Sequence, residues 1–200
     1  GLGHPASFNL KMLGVGNENW GPQYIERLKV FQDAIKKKYP DIKLICSSGI
    51  MPDGELFDFL NSELRKMKVG FIDEHYYSSP KWFLDNAKRY DNYDRKSVSK
   101  VFVGEYAAQS DRITSPDNKS NWHTALTEAA FLTGLERNAD VVQMASYAPL
   151  FGHVDGWQWK PDLIWVDNLR VLPTPNYFVQ KLYATNKGSH MVSTLNKDKM

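Results

Sequence analysis

Two glutamates end two apolar stretches of this 200-residue sequence. Glu18 follows the run Met12-Leu-Gly-Val-Gly-Asn, and Glu105 follows the run Val101-Phe-Val-Gly. Both runs are typical of buried strands, so two strands of one kind each offer a carboxylate at the same end. When parallel strands close into a barrel, functional residues collect at their carboxyl ends. Two facing carboxylates there are the minimum equipment of a retaining glycosidase, in which one is the nucleophile and the other the acid and base.

The composition suits one compact domain, because 42% of the residues are hydrophobic and the chain is long enough to bury a sizeable core. The formal net charge is +2 with the charges interspersed, which argues against a nucleic-acid-binding surface and predicts a neutral partner. The one cysteine, Cys46, lies in an apolar run and is expected to pack in the core. No apolar run reaches about 18 residues and no signal-peptide pattern opens the sequence, so we expect a soluble chain whose compartment stays open.

Strands alternate with helices along the sequence, which predicts an α/β fold built on a parallel sheet. The predicted strands span about residues 11–16, 43–48, 69–77, 100–105 and 141–147. The predicted helices span about residues 22–38, 53–68, 81–93, 121–137 and 174–186, with Asp53 as the N-cap of the second. The aromatic stretch between the last strand and the last helix is predicted to be a long loop.

The polar ends of these strands recur about every 30 residues, as repeated β/α units require. A closed barrel needs eight such units and typically about 250 residues, so five units are too few. The pattern therefore leaves two architectures open. One is an open, doubly wound sheet, and the other is the second part of a barrel whose first strands lie outside this sequence.

Several blocks of the sequence carry a resemblance to a known family. The blocks are Gly16-Asn-Glu-Asn-Trp-Gly21, Asp73-Glu-His-Tyr-Tyr77, Val103-Gly-Glu-Tyr-Ala107, Arg137–Ser146, Trp159-Lys-Pro-Asp-Leu-Ile164 and Leu169–Gly188. In this order they resemble the α-L-arabinofuranosidases of glycoside hydrolase family 51. The resemblance implies a (β/α)₈ TIM-barrel catalytic domain of which residues 1–200 cover about strands four to eight. The earlier strands and a following β-sandwich would then lie outside the sequence.

The resemblance also assigns roles to particular residues. It implies that Glu18 is the general acid/base, that Glu105 is the nucleophile and that Asn17 binds the 2-hydroxyl of the sugar. His75 and Tyr77 lie two apart on one predicted strand and therefore share a face.

The family carries a His-x-Tyr at this place, which implies that His75 and Tyr77 bind substrate. Tyr77 would also donate to the nucleophile, with Tyr76 as its outward neighbour, although an error of one residue would exchange the two tyrosines. Trp159 is the tryptophan favoured for stacking on a sugar face, because it lies in a matching block.

Three of these residues also have a purely structural interpretation. Glu18 could be a helix-turn carboxylate, Glu105 a salt-bridge partner and His75 a satisfied core histidine. A rival chemistry is a divalent-metal site of Asp73, Glu74, His75 and Glu18. Adjacent residues point to opposite faces of a strand, so Asp73 and Glu74 cannot both enter one site, and no metal or cofactor is expected.

Together these observations predict a retaining glycosidase that releases terminal α-L-arabinofuranosyl residues from arabinan or arabinoxylan by double displacement. Another retaining barrel glycosidase acting on xylan- or glucan-type chains is the alternative, as is an inactive fragment that only binds sugar through its aromatic side chains. No nucleic acid or membrane partner is expected. The isolated chain is predicted to be inactive, and either to oligomerise through exposed sheet edges or to shield an open sheet with its N-terminal loop and last helix.

Overall fold

A computed structural model describes residues 3–6 and 8–192 of the chain, which forms two compact units. The first unit contains the residues up to Tyr77 together with Tyr93–Tyr106 and Asp140–Ser146. The second contains Ser78–Asn92, Ala107–Ala139 and the residues from Tyr147 onward. Among the described residues, no helix is both long enough and apolar enough to cross a membrane.

The first unit is built on a five-stranded sheet with two helices. The strands are β1 (Met12–Val15), β2 (Lys43–Ser47), β3 (Phe71–Ser78), β4 (Lys100–Ala108) and β5 (Val142–Ala145), and the helices are α1 (Pro22–Lys38) and α2 (Glu55–Lys66). The tips of β3 and β4 belong to the second unit. The strand order is β1-β2-β3-β4-β5, and β1–β2, β2–β3 and β4–β5 pair in parallel. In a doubly wound sheet the order of the strands across the sheet reverses at a switch point. The order seen here follows the sequence throughout, which excludes a doubly wound sheet for the described strands.

The core of this unit forms where α1 and α2 cover β2 and β3. Its buried side chains are Tyr24, Ile25, Leu28, Leu44, Cys46, Leu60, Leu64, Val69 and Ile72. The prediction that Cys46 packs in the core is confirmed. Phe31 of α1 and Leu56 of α2 are exposed, because each lies at the margin of the buried stripe of its helix.

Two predicted helix boundaries are wrong. The N-cap of α2 is Gly54 rather than Asp53, and its φ of +87° is a conformation that glycine adopts without a steric penalty. The third helix, α3 (Pro80–Asp85), ends well before residue 93. It stops at Asn86, whose side-chain amide donates to the carbonyl of Trp82 and so satisfies an acceptor of the last turn.

The second unit contains α3, α4 (Trp122–Arg137), α5 (Pro175–Thr185) and a small sheet that the sequence did not lead us to expect. The sheet consists of β6 (Phe151–His153), β7 (Ile164–Val166) and β8 (Val171–Pro173), with β6–β7 parallel and β7–β8 antiparallel. The predicted long loop is therefore wrong. A hairpin signal was present, because the polar pair Asp167-Asn168 separates two apolar runs and the Asp167 side chain accepts from the backbone N–H of Arg170.

Candidate active site

Glu18 lies in the turn between β1 and α1, in the first unit. Its φ is +52°, a left-handed conformation that is uncommon for glutamate. Gly16 has a φ of +87°, and a Cβ at this position would lie 2.0 Å from Oδ1 of Asn19. The turn therefore requires glycine two residues before Glu18. Backbone held in sparsely populated regions of this kind is concentrated at functional sites.

Glu105 lies on β4 and accepts a hydrogen bond from the hydroxyl of Tyr77 on β3, with an oxygen–oxygen distance of 2.6 Å. Burial raises the pKa of Tyr77, and the hydrogen bond and charge of Glu105 raise it further. Tyr77 therefore keeps its proton and remains a donor across the pH range in which proteins work. A donor aimed at a carboxylate favours its charged form.

His75 lies between the two glutamates and is 2% exposed. Its Nδ1 is 3.1 Å from Oε1 of Glu18 and 3.7 Å from Oε2 of Glu105. Its Nε2 is 3.3 Å from Oδ2 of Asp73. Burial lowers the pKa of His75, but the hydrogen bond and charge of Asp73, followed by Glu18 and Glu105, raise it to about 9.

The alternation of side chains along β3 separates two sets of polar groups, as the strand period predicts. His75 and Tyr77 face the glutamates. Glu74 and Tyr76 form a separate buried pair, in which the tyrosine hydroxyl donates to Oε2 of the glutamate. The side chain of Asn61 on α2 donates to Oε1 of Glu74 at 2.9 Å.

The carboxylates come close enough for chemistry. One oxygen of Glu18, one ring nitrogen of His75 and one oxygen of Glu105 all lie within 4.8 Å of one another. Such a group could act as a retaining glycosidase pair or offer three ligands to a metal ion. The metal ligands would not be the set that the sequence suggested, because Glu74 faces elsewhere and Asp73 contacts Nε2 of His75.

The remaining predicted site residues have less definite surroundings. Asn17 is exposed in the turn beside Glu18. Trp159 belongs to the second unit and is 51% exposed. Asp73 is the residue whose place beside His75 we missed, and its signal was the spacing of two residues along one strand.

Comparison with known proteins identifies related sequences over nearly the whole chain. Residues 1–95 match the α-L-arabinofuranosidase 1 domain model, and residues 104–200 match the α-L-arabinofuranosidase C-terminal domain model. An extracellular exo-α-L-arabinofuranosidase of Streptomyces chartreusis is 47% identical over 96% of this chain and 22% of its own length. α-L-Arabinofuranosidase 1 of Arabidopsis thaliana is 36% identical over 96% of the chain and 26% of its own length. The chain thus spans about a quarter of the length of these relatives.

The solved structures that superpose on this chain include α-L-arabinofuranosidases as well. An arabinose-bound family 51 α-L-arabinofuranosidase superposes with a TM-score of 0.76 and 34% identity, covering 94% of this chain and 30% of the other. The α-L-arabinofuranosidase of Thermotoga maritima superposes with a TM-score of 0.67 at 22% identity, covering 93% of this chain and 42% of the other, which supports the fold alone. The chain matches α-L-arabinofuranosidase domains over nearly its whole length and belongs to the α-L-arabinofuranosidases of glycoside hydrolase family 51.

Proposed function

We propose that this chain supplies the catalytic acid/base and nucleophile of a retaining α-L-arabinofuranosidase. Glu105 is the nucleophile and Glu18 is the acid and base. The substrate is a terminal α-L-arabinofuranosyl residue of an arabinan or arabinoxylan side chain. Family membership and the arabinose-bound relative support this choice of sugar.

One distance carries the proposal of a retaining mechanism. An oxygen of Glu18 lies within 4.8 Å of an oxygen of Glu105. Retaining pairs stand about 5–5.5 Å apart, whereas inverting pairs stand about 6.5–9.5 Å apart to admit a water molecule. The spacing supports direct attack by a carboxylate on the anomeric carbon.

The surroundings of the two glutamates suit their different roles. Glu105 accepts a hydrogen bond from the Tyr77 hydroxyl, with 2.6 Å between the two oxygens, and such a donor favours the ionised form that a nucleophile needs. Glu18 is one-third exposed at its side chain, so it can reach a leaving group and later a water molecule. Asn17, next to it in the turn, would donate to the 2-hydroxyl, a contact expected to strengthen in the transition state.

We further propose that β1 to β5 are strands four to eight of a (β/α)₈ barrel, with residues 1–200 forming part of one catalytic domain. The sequential order of the strands, with parallel pairing at β1–β2, β2–β3 and β4–β5, supports this assignment. The proposed site also lies towards the carboxyl ends of β3 and β4, where barrel enzymes place their active sites. The first barrel strands would be supplied by the rest of the polypeptide.

The test uses the complete polypeptide and an α-L-arabinofuranoside whose product is followed by proton NMR from the first turnover. We expect the first product to keep the configuration of the substrate. Glu105→Gln should abolish turnover. Glu18→Ala should lose far less activity on an aryl arabinofuranoside with an activated leaving group than on a natural one, because such a leaving group needs no protonation.

Glu63→Gln is the matched control, since Glu63 pairs with Lys66 on the surface of α2 and should leave activity unchanged. An inverted first product would contradict the retaining mechanism. A Glu18→Ala enzyme that gains nothing from the activated substrate would contradict the acid role of Glu18.

A further inference from the structure

One buried histidine serves two carboxylates in this site. We propose that Asp73 holds His75 as a cation, and that this cation is the counter-ion of whichever catalytic glutamate is charged. Asp73 and His75 are thus positioning residues rather than substrate ligands. The inference rests on the proposed function, because it uses the roles given to Glu18 and Glu105.

The geometry around the ring makes His75 a double donor. The Asp73 carboxylate is an acceptor when ionised, so Nε2 at 3.3 Å carries a proton towards it. Nδ1 then faces Glu18 at 3.1 Å and Glu105 at 3.7 Å. The ring is buried by its neighbours, so this orientation is not set by solvent.

Gly104, the residue before the nucleophile, leaves the space that Asp73 occupies. A Cβ at Gly104 would lie 1.9 Å from Oδ1 of Asp73 and 2.9 Å from its Cγ. Any side chain at this position would push the carboxylate out of its place. The absence of a side chain at Gly104 therefore allows Asp73 to contact His75.

The charge balance of the reaction explains why one cation suffices. At rest Glu18 holds a proton and Glu105 is charged. In the first step an oxygen of Glu105 bonds to the anomeric carbon, the glycosidic bond breaks with its electron pair going to the leaving oxygen, and that oxygen takes the proton of Glu18.

The negative charge has then moved from Glu105 to Glu18, and both lie within 4 Å of Nδ1 of His75. In the second step Glu18 takes a proton from the attacking water and Glu105 leaves as a carboxylate. The cation thus faces one charged glutamate at each stage, with no change in the net charge of the site.

The other titratable groups near the Asp73–His75 pair stay neutral where His75 titrates. They are Tyr24 on α1 and Cys46 on β2, which feel the charge of Asp73, and Tyr77 on β3, which donates to Glu105. Burial is the main cause that raises the pKa of each, to about 12 for Cys46. Glu18 must also hold its proton in the first step and lies 3.1 Å from Nδ1 of His75, so the loss of activity at high pH reports these two residues as a coupled pair.

The first measurement needs no variant. Long-range proton–nitrogen NMR of the His75 ring should show both nitrogens protonated at pH 7 and a titration well above the ordinary pKa of 6.5. A His75 that titrates near its ordinary pKa of 6.5 would overturn the proposal.

The second measurement is the pH profile of kcat/KM for Asp73→Asn in the complete polypeptide. Removing the negative charge lowers the pKa of His75, so the basic limb should move to lower pH. A misplaced ring should also lower kcat/KM at neutral pH by about a hundredfold. Asp140→Asn is the matched control, because Asp140 pairs with Arg95 on the surface of the same unit, and its profile should not move.

Gly104→Ala tests the same contact without changing a charge. It should move the basic limb in the same direction, and the double variant with Asp73→Asn should lose less than the product of the two single losses. Gly14→Ala on β1 is the control, since a Cβ there meets nothing within 4 Å.

The outcomes separate the two proposals. A wild-type polypeptide that does not cleave arabinofuranosides overturns the proposed function, and with it the counter-ion role. This inference alone is overturned if the wild-type enzyme is active but Asp73→Asn changes neither the titration of His75 nor the basic limb of the pH profile of kcat/KM.

Discussion

Tyr76 and Tyr77 are neighbours in the sequence, yet they donate to different carboxylates. Tyr77 donates to Glu105 in the proposed active site, and Tyr76 donates to buried Glu74. The sequence left open which tyrosine meets the nucleophile, because an error of one residue in the strand register exchanges their faces. Their different partners make them a matched pair of variants.

We expect Tyr77→Phe to lower kcat/KM by about tenfold to a hundredfold, the usual worth of a hydrogen bond to a charged group. Tyr76→Phe should lower thermal stability and leave kcat/KM unchanged, because its hydroxyl donates to Glu74 instead. An equal loss of kcat/KM in the two variants would contradict the role given to Tyr77.

For single residues, the sequence predicts the two candidate catalytic carboxylates. It does not predict the backbone conformation and side-chain contacts around them. Glu18 and Glu105 were identified because each follows an apolar run at a strand end. The left-handed turn at Glu18 and the fit of Asp73 against Gly104 were not. Both depend on distances between separate strands and turns, which no local pattern contains.

Among the elements, α3 shows why a helix can end before its pattern does. The segment after α3 passes so close to α4 that a Cβ on Gly134 would lie 2.1 Å from the carbonyl oxygen of Ala87. Arg137 and Asn138 at the end of α4 both donate to Asp91. These contacts favour a turn where the sequence pattern predicted further helix.

We therefore expect Gly134→Ala to destabilise the protein by about 1–3 kcal/mol, the usual cost of overpacking, even though alanine favours helix. The reason is that the clash is with backbone rather than with a flexible side chain. Thermal unfolding measures this, with Gly156→Ala as the control, because a Cβ there meets nothing within 4 Å. A Gly134→Ala protein as stable as wild type would show that the close approach is not needed.

A second element-scale feature is the buried Glu128 of α4, which accepts a hydrogen bond from the backbone N–H of Ala108 at the tip of β4. Burial raises its pKa to about 8. The folded protein therefore holds a proton that the unfolded chain releases above its ordinary pKa of 4.5, so this contribution to stability is full below pH 4.5 and is lost as the pH rises through 8.

Glu128→Gln keeps an acceptor for Ala108 and removes the titration. We expect it to raise the melting temperature at pH 8.5 by several degrees relative to wild type, and to change it little at pH 4.5. Melting curves at several pH values measure this, and Glu136→Gln on the same helix serves as the control. An unchanged pH dependence of stability would contradict the prediction.

The elements themselves were predicted well where they are long. Five strands and five helices were predicted and occur, whereas β6 to β8, with three residues each, were missed. Such short strands do not provide enough alternation to be recognised, and their pairing joins residues that are distant in the sequence. The signal that existed was the polar pair between β7 and β8.

Among the residues that the structure describes, the five-stranded sheet has an unpaired edge strand at each end. Among the described strands, β1 pairs only with β2, and β5 pairs only with β4. Exposed side chains near β1 include Phe8, Leu10 and Trp20. Unpaired strand edges with apolar neighbours favour association with other chains, so a partner strand is expected on each side.

We expect the 200-residue chain alone to be inactive towards aryl arabinofuranosides and to form oligomers in solution. Under the proposed barrel assignment, the strands that complete the sugar pocket lie outside residues 1–200. A misplacement of about 1 Å can cost a hundredfold in rate, and loss of part of the pocket should cost more. Light scattering with an activity assay, using the complete polypeptide as the positive control, measures both properties. Turnover by a monomer of this chain at the rate of the complete polypeptide would show that the missing strands are dispensable, and the barrel assignment would then be wrong.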